Sequence, residues 1–147
     1  MPVVHLVARL RDRHCGRLEG APASWLFEHL RARFPNTLGA TLMPNHPHLL
    51  TDVEDVVVAH AAFSGTLAGL ARHLHWGRGA WAPVPSPKIL VAPDKVLKEL
   101  RYIAGEDDAG EDRNGHIEVK LISGRTYVLR VRMSHSERPE ETALMLW

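Results

Sequence analysis

Two histidines spaced two residues apart are the side chains of this sequence best suited to chemistry. His46 and His48 follow the turn-forming pair Pro44-Asn45 and lead an apolar run. Side chains two apart on an extended strand project from one face, so both imidazoles should point the same way. Neighbouring imidazoles can hold one divalent metal ion. The spacing therefore predicts a metal site, although a chain with ten histidines can also contain such a pair by chance.

A second histidine pair, His73 and His75, has the same spacing but leads to a different prediction. It ends a long segment with helical periodicity. Residues two apart on a helix do not face each other. We therefore expect no chelation by this second pair.

Size and composition indicate one main globular domain. The chain has 147 residues, of which 45% are hydrophobic and 24% charged, enough to bury a core. No apolar run is long enough to span a bilayer and no signal-peptide pattern is present, so we expect no membrane partner. The single cysteine, Cys15, excludes an internal disulfide, which favours a cytoplasmic location.

The elements that must position the histidines alternate between strand and helix patterns. Strand patterns cover 3–10, 37–43, 46–53 and 88–92, and helix patterns cover 24–34, 56–75 and 95–104. Ser24 and Asp94 are the expected N-caps of the first and last helices. The order β-α-β-β-α-β-α predicts an α+β fold, a ferredoxin-like βαββαβ sandwich with an additional C-terminal helix. Alternation around Ser123-Gly124 predicts a trailing β-hairpin over 116–133.

Three stretches of the sequence carry a resemblance to a known family. They are His5-Leu6-Val7-Ala8-Arg9, Leu42-Met43-Pro44-Asn45-His46-Pro47-His48-Leu49-Leu50, and Pro87-Lys88-Ile89-Leu90-Val91 followed by Asp94 and Leu97-Lys98-Glu99-Leu100-Arg101-Tyr102-Ile103. Together they resemble the HUH-type single-tyrosine transposases of insertion sequences, most of all the REP-associated tyrosine transposases. The resemblance implies a transposase-like domain over 1–105, with an acidic loop, the hairpin and a tail over 106–147.

The resemblance implies a metal-dependent DNA endonuclease and strand transferase that acts on single-stranded or hairpin DNA. Tyr102 would be the nucleophile and would form a 5′-phosphotyrosine. His46 and His48 would hold Mg²⁺ or Mn²⁺. Glu106 stands four residues after the tyrosine, where the family commonly has a third ligand, and residues four apart share a helix face. Because Gly105 could end the helix first, an exposed loop carboxylate remains the alternative for Glu106.

Several basic and aromatic residues are candidates for contacts with DNA. Phosphates could meet the five cations Arg9, Arg72, Arg78, Lys88 and Arg101. An unpaired base could stack on Trp76 or Trp81. For each of these residues a solvated surface or core packing is the competing interpretation. The sequence also leaves open whether the chain works as a monomer or as a homodimer that supplies its tyrosines in trans.

Departures from the family pattern keep a second functional class open. An acidic run at 106–108 follows the tyrosine helix where the family usually has an Asn-Pro segment, and Pro47 replaces a bulky apolar residue. These changes fit a domesticated relative, a DNA-binding protein with little or no catalysis. An RNA-binding sandwich is disfavoured because no suitable aromatic pair lies on the predicted strands.

Overall fold

In the part of the chain that the structure describes, the fold is α+β, with a five-stranded antiparallel sheet flanked by three α-helices. The structure, a computed structural model, describes residues 2–14, 17–103, 116–120, 126–130 and 143–145. Its elements in chain order are β1 (Val3–Val7), a short 3-10 helix (Asp12–His14), α1 (Gly20–Arg33), β2 (Thr37–Met43), β3 (His46–Asp52), α2 (Val56–His73), β4 (Lys88–Leu90), α3 (Pro93–Ile103), β5 (His116–Lys120), β6 (Thr126–Arg130) and β7 (Ala143–Met145).

The strand that carries the two histidines lies at the centre of the main sheet. The strand order is β4-β1-β3-β2-β7, and every neighbouring pair is antiparallel. His48 on β3 therefore has a partner on each side, Val7 of β1 and Thr41 of β2. Because both flanking strands hydrogen-bond to β3, the backbone beneath the histidines is fixed from two directions.

The two faces of the sheet pack against different helices. Val4, Leu6 and Leu49 point to one face and are buried in the core together with residues of α1 and α2. Adjacent residues of a strand alternate between faces, so His5 and His48 point to the opposite face. That face is covered by α3, where the Thr41 hydroxyl donates a hydrogen bond of 2.7 Å to the carbonyl of Ile103.

Helix α1 begins earlier than the sequence pattern predicts. It starts at Gly20, whose φ is +54°, rather than after a cap at Ser24, and the N-cap residue Glu19 makes no side-chain capping bond. The prediction of Ser24 as the cap was wrong because Pro22 fits inside a first helical turn, where its missing N–H costs no hydrogen bond.

Strand β1 and strand β4 are shorter than predicted. β1 ends at Val7, and Leu10 is held instead by an isolated antiparallel bridge to Trp81. β4 ends at Leu90, and α3 already begins at Pro93, so Asp94 lies in the first turn rather than ahead of it. Proline supplies the preset φ of a first helical residue, which explains the earlier start.

The C-terminal part of the chain adds strands to this fold. β5 and β6 pair antiparallel in a separate two-stranded sheet, as predicted for the hairpin over 116–133. β7, which the sequence did not indicate, pairs with β2 and extends the main sheet. The proposed boundary between 1–105 and 106–147 lies outside the described residues and stays a prediction. No helix in the described part of the chain is long and apolar enough to cross a membrane.

Candidate active site

His46 and His48 lie side by side on the α3 face of the sheet. Their ring centroids are 4.7 Å apart, and the ring planes are inclined at 79°. The Nδ1 atom of His46 is 2.5 Å from Oδ1 of its neighbour Asn45. An amide oxygen only accepts hydrogen bonds, so this contact assigns the His46 proton to Nδ1 and leaves its Nε2 as a lone-pair nitrogen.

Pro47, between the two histidines, costs the sheet no hydrogen bond to β2. Its carbonyl accepts from the N–H of Ala8 at 3.4 Å, so the N atom of Pro47 also lies on the side of β1. The regular pairing of β1 with β3 ends at the Val7–His48 pair. The missing proline N–H would have faced Ala8, one residue past the last regular pair, so the proline omits one hydrogen bond at the end of this ladder and none to β2.

Tyr102 lies beside the histidines on the same face. Its ring centroid is 6.1 Å from that of His48 and 6.5 Å from that of His5, both in edge-on arrangements. Helix α3 is anchored by the buried side chains Leu100 and Ile103, which leaves Tyr102 58% exposed. The structure therefore brings an accessible phenol and two imidazoles together within one chain.

His5 and Glu99 extend this cluster and were not among the predicted site residues. Nδ1 of His5 is 2.8 Å from Oε2 of Glu99, and Nε2 of His5 is 2.9 Å from Nδ1 of His48. The other oxygen of Glu99 accepts from Nζ of Lys88. Two signals in the sequence point to them: His5 shares strand parity with Arg9, and Glu99 lies one helical turn before Tyr102.

Burial keeps the site histidines neutral at neutral pH. Loss of solvation lowers the pKa of His46 from 6.5 to about 4, and the nearby positive charge of Arg9 adds to the effect. Loss of solvation, followed by the proximity of His46, His5 and Arg9, lowers the pKa of His48 to about 3. The pKa of His5 is also lowered by burial, against the opposing pull of Glu99. Neutral imidazoles are the form that binds metal ions.

The donor set of the site fits a divalent metal ion at the imidazole pair. His46 and His48 both use Nδ1 for hydrogen bonds within the protein, which leaves Nε2 of each ring as the nitrogen for a metal. Among the described residues, no group of three His, Cys, Asp or Glu side chains is arranged to hold a metal. Glu106, the predicted third ligand, lies outside the described residues.

The predicted phosphate contacts fall on two sides of the molecule. Arg9 is exposed and close enough to His46 and His48 for its charge to lower both pKa values. Lys88 and Arg101 are exposed on the same side, and Lys88 is paired with Glu99.

The other two predicted cations, Arg72 and Arg78, line a cavity of about 680 Å³. This cavity lies between α2 and the segment 75–84, in the helical layer on the far face of the sheet. The two tryptophans proposed for base stacking pack against the core instead. Trp76 and Trp81 are both partly buried there, and Nε1 of Trp81 donates to the carbonyl of Leu67. Core packing, the competing interpretation, therefore accounts for both rings.

The second histidine pair serves other contacts. The ring of His73, the last residue of α2, stacks at 5.5 Å from the ring of Trp25 on α1. His75 has a φ of +54° and lies in the turn that ends the helix. The helix ends at His73 and not at 75 as predicted, because the chain leaves the helical conformation at His75, and the expectation that this pair does not chelate stays a prediction.

Comparison with known proteins supports the fold of this chain. A solved structure of a REP-associated tyrosine transposase bound to a REP hairpin is similar, with a TM-score of 0.54 and 14% sequence identity. The match covers 70% of this chain and 64% of the transposase chain, so the similarity spans less than two thirds of that protein. No protein-family model matches the sequence, and neither does any curated protein. At this identity the similarity shows a shared α+β fold.

Proposed function

We propose that the protein is a metal-dependent DNA endonuclease and strand transferase, built on a ferredoxin-like sandwich, that cleaves single-stranded or hairpin DNA. The observation that carries the proposal is the placement of Tyr102 beside His48 on one face of the sheet. A fold shared with a hairpin-bound transposase supports it independently. DNA is therefore the proposed partner, and Mg²⁺ or Mn²⁺ the proposed cofactor.

The proposed reaction breaks one phosphodiester and stores its energy in a bond to the protein. The phenolic oxygen of Tyr102 loses its proton to water and forms a bond to phosphorus while the bond from phosphorus to the 3′ oxygen breaks. The 3′ oxygen leaves as a hydroxyl after taking up a proton, and the 5′ phosphate stays on the tyrosine. Attack by a 3′-hydroxyl reverses these steps, so rejoining needs no nucleotide.

Charge around the site supports binding of a phosphate there. A divalent ion held by His46 and His48 would supply positive charge against the charge that develops on the scissile phosphate. Arg9 follows β1, is exposed, and is close enough to His46 and His48 for its charge to lower both pKa values, so its guanidinium can meet a neighbouring phosphate. The buried, neutral state of the imidazoles removes any competition between protons and metal near pH 7.

The experiment that tests the proposal is capture of the covalent intermediate. Labelled single-stranded and hairpin DNA are incubated with the protein and Mn²⁺, and adducts are separated on denaturing gels. We expect an adduct with the unaltered protein, none with Tyr102→Phe, and an undiminished yield with Tyr127→Phe, because Tyr127 is the only other tyrosine. An adduct that survives Tyr102→Phe contradicts the proposal.

A DNA-binding protein without catalysis is the second candidate. It is favoured by the small ligand set, since the described residues offer two adjacent imidazoles and no three-residue metal group. Gel-shift binding of the same DNA hairpins with no adduct, in Mg²⁺ and in Mn²⁺, would support this candidate over the enzyme.

A further inference from the structure

We propose that Glu99 and His5 are positioning residues that fix the tautomer and orientation of His48. The inference rests on the proposed function, which assigns His48 as a metal ligand, and adds what prepares that ligand before the metal arrives. The three side chains come from three elements, α3, β1 and β3, and meet on one face of the sheet.

The proton positions in this chain of contacts follow from the carboxylate of Glu99 at one end of it. An ionised carboxylate only accepts hydrogen bonds, so Nδ1 of His5 must be the donor to Oε2 of Glu99 at 2.8 Å. A neutral His5 with its proton on Nδ1 has a lone pair on Nε2. That lone pair accepts from Nδ1–H of His48 at 2.9 Å. His48 therefore carries its proton on Nδ1 and presents Nε2 as its metal-binding nitrogen.

Burial makes this arrangement specific. His5, His48 and Glu99 are only 7%, 8% and 8% exposed, so water does not readily replace any member of the chain. A buried carboxylate needs partners, and Glu99 has two, the ring of His5 and the ammonium of Lys88. Lys88 is 63% exposed in its side chain, so the contact with His5 is the buried and better-defined one.

His46 and His48 are thus oriented by different means. His46 takes its partner from the adjacent residue, Asn45, within the same turn. His48 depends on a helix that lies far along the chain. Since Glu99 is one turn before Tyr102 on α3, the helix that carries the proposed nucleophile also sets the tautomer of the metal ligand. Correct docking of α3 therefore prepares both groups together.

The test reads the tautomer of His48 directly in the metal-free protein. Long-range proton–nitrogen correlation spectra at neutral pH report which ring nitrogen carries the proton. We expect Nδ1 to be protonated in the unaltered protein. In His5→Phe and Glu99→Leu we expect a mixture of His48 tautomers. Glu99→Gln keeps a carbonyl oxygen as acceptor, so we expect its His48 to keep the proton on Nδ1. A His48 ring that carries its proton on Nε2 in the unaltered protein overturns the inference.

Metal affinity, measured by calorimetry with Mn²⁺, is the second readout. Loss of such an outer partner costs about 10–100-fold in metal affinity, so Glu99→Leu and His5→Phe should weaken binding by that factor. The matched control is Lys98→Met, which changes an exposed lysine on α3 that is no member of this chain of contacts and should leave the affinity unchanged. Equal affinities in all variants, with Mn²⁺ bound by the unaltered protein, would refute the positioning role while the proposed function stands.

A protein that binds no Mn²⁺ would instead refute the proposed function. The tautomer measurement would still decide whether Glu99 and His5 fix the tautomer of His48, because it needs neither metal nor DNA. A variant that fails to fold is recognised by its circular dichroism spectrum. In that case the spectra of the unaltered protein and of Glu99→Gln decide whether His48 is held as proposed.

Discussion

The ring of Tyr102 lies edge-on to the ring of His48 in the same chain, with 6.1 Å between the ring centroids. If Tyr102 is the nucleophile and His48 a metal ligand, as proposed, their meeting within one chain means that the reaction needs no second copy. We therefore expect that mixing Tyr102→Phe protein with His48→Ala protein will not restore adduct formation. Recovery of the adduct in the mixture would show that tyrosines are exchanged between two copies, the homodimer arrangement that the sequence leaves open.

Acid should destabilise the metal-free protein through its site histidines. In the unfolded chain these groups titrate near 6.5, whereas in the folded protein the pKa of His46 is about 4 and that of His48 about 3. Below pH 6.5 the unfolded state binds protons that the folded state excludes, so the free energy of unfolding falls as pH decreases toward 4. Chemical denaturation at a series of pH values measures this slope. The double variant His46→Gln, His48→Gln should have a shallower slope, and an unchanged slope would contradict the assignment.

Arg9 should contribute to DNA binding through charge. One lost phosphate contact lowers the slope of log affinity against log salt concentration by about 0.7 for a single strand. We expect this change for Arg9→Ala in fluorescence anisotropy with single-stranded DNA. Arg72→Ala is the matched comparison because Arg72 lies beside the cavity on the α2 side. If Arg72→Ala has the larger effect, the DNA path crosses the α2 layer instead.

The N-cap of α2 should be a measurable source of stability. The carboxylate of Asp55 accepts hydrogen bonds from the N–H groups of Val57 and Val58 at 2.9 and 3.0 Å. We expect Asp55→Ala to lower the free energy of unfolding by about 1 kcal/mol in urea denaturation. Its exposed neighbour Glu54 makes no such cap, so Glu54→Ala should change stability by less than about 0.5 kcal/mol. Equal losses in the two variants would contradict the capping role.

The turn after α2 contains a residue in an unfavourable backbone conformation. His75 has a φ of +54°, in the left-handed region where a side chain costs about 1 kcal/mol relative to glycine. His75→Gly should therefore raise the free energy of unfolding by up to about 1 kcal/mol. Gly77→Ala is the reverse case, since its φ is +82° and no atom lies within 4 Å of an added Cβ. Calorimetric melting should move in opposite directions for the two variants, and a shared direction would contradict this explanation.

Much of the fold could be predicted because its signals are local. The strands predicted over 37–43 and 46–53 follow from alternation and from residue type over a few positions, and the structure has them as Thr37–Met43 and His46–Asp52. β7 was missed because a strand of three residues acquires its partner, β2, from a distant part of the chain. The early start of α1 was missed because a proline reads as a helix breaker unless it falls in the first turn.

The sequence indicated the candidate reactive side chains of the site but not the hydrogen bonds that link them. Spacing indicated the two imidazoles, and the resemblance indicated Tyr102. The link through His5 and Glu99 joins positions 94 residues apart in the sequence, so no periodicity reveals it. A glutamate on an amphipathic helix looks solvent-exposed until the sheet that covers it is known.

Pro47 has a consequence for how the site would bind the proposed metal ion. Its ring restricts the backbone torsion between the two imidazoles in the unfolded chain as well as in the folded one, so less freedom is lost when the segment becomes ordered. The separation of the two imidazoles is thus set by a covalent ring and by strand pairing before any cation is present. Such a rigid pair of ligands needs little reorganisation to bind an ion, and it offers little accommodation to ions that demand a different spacing.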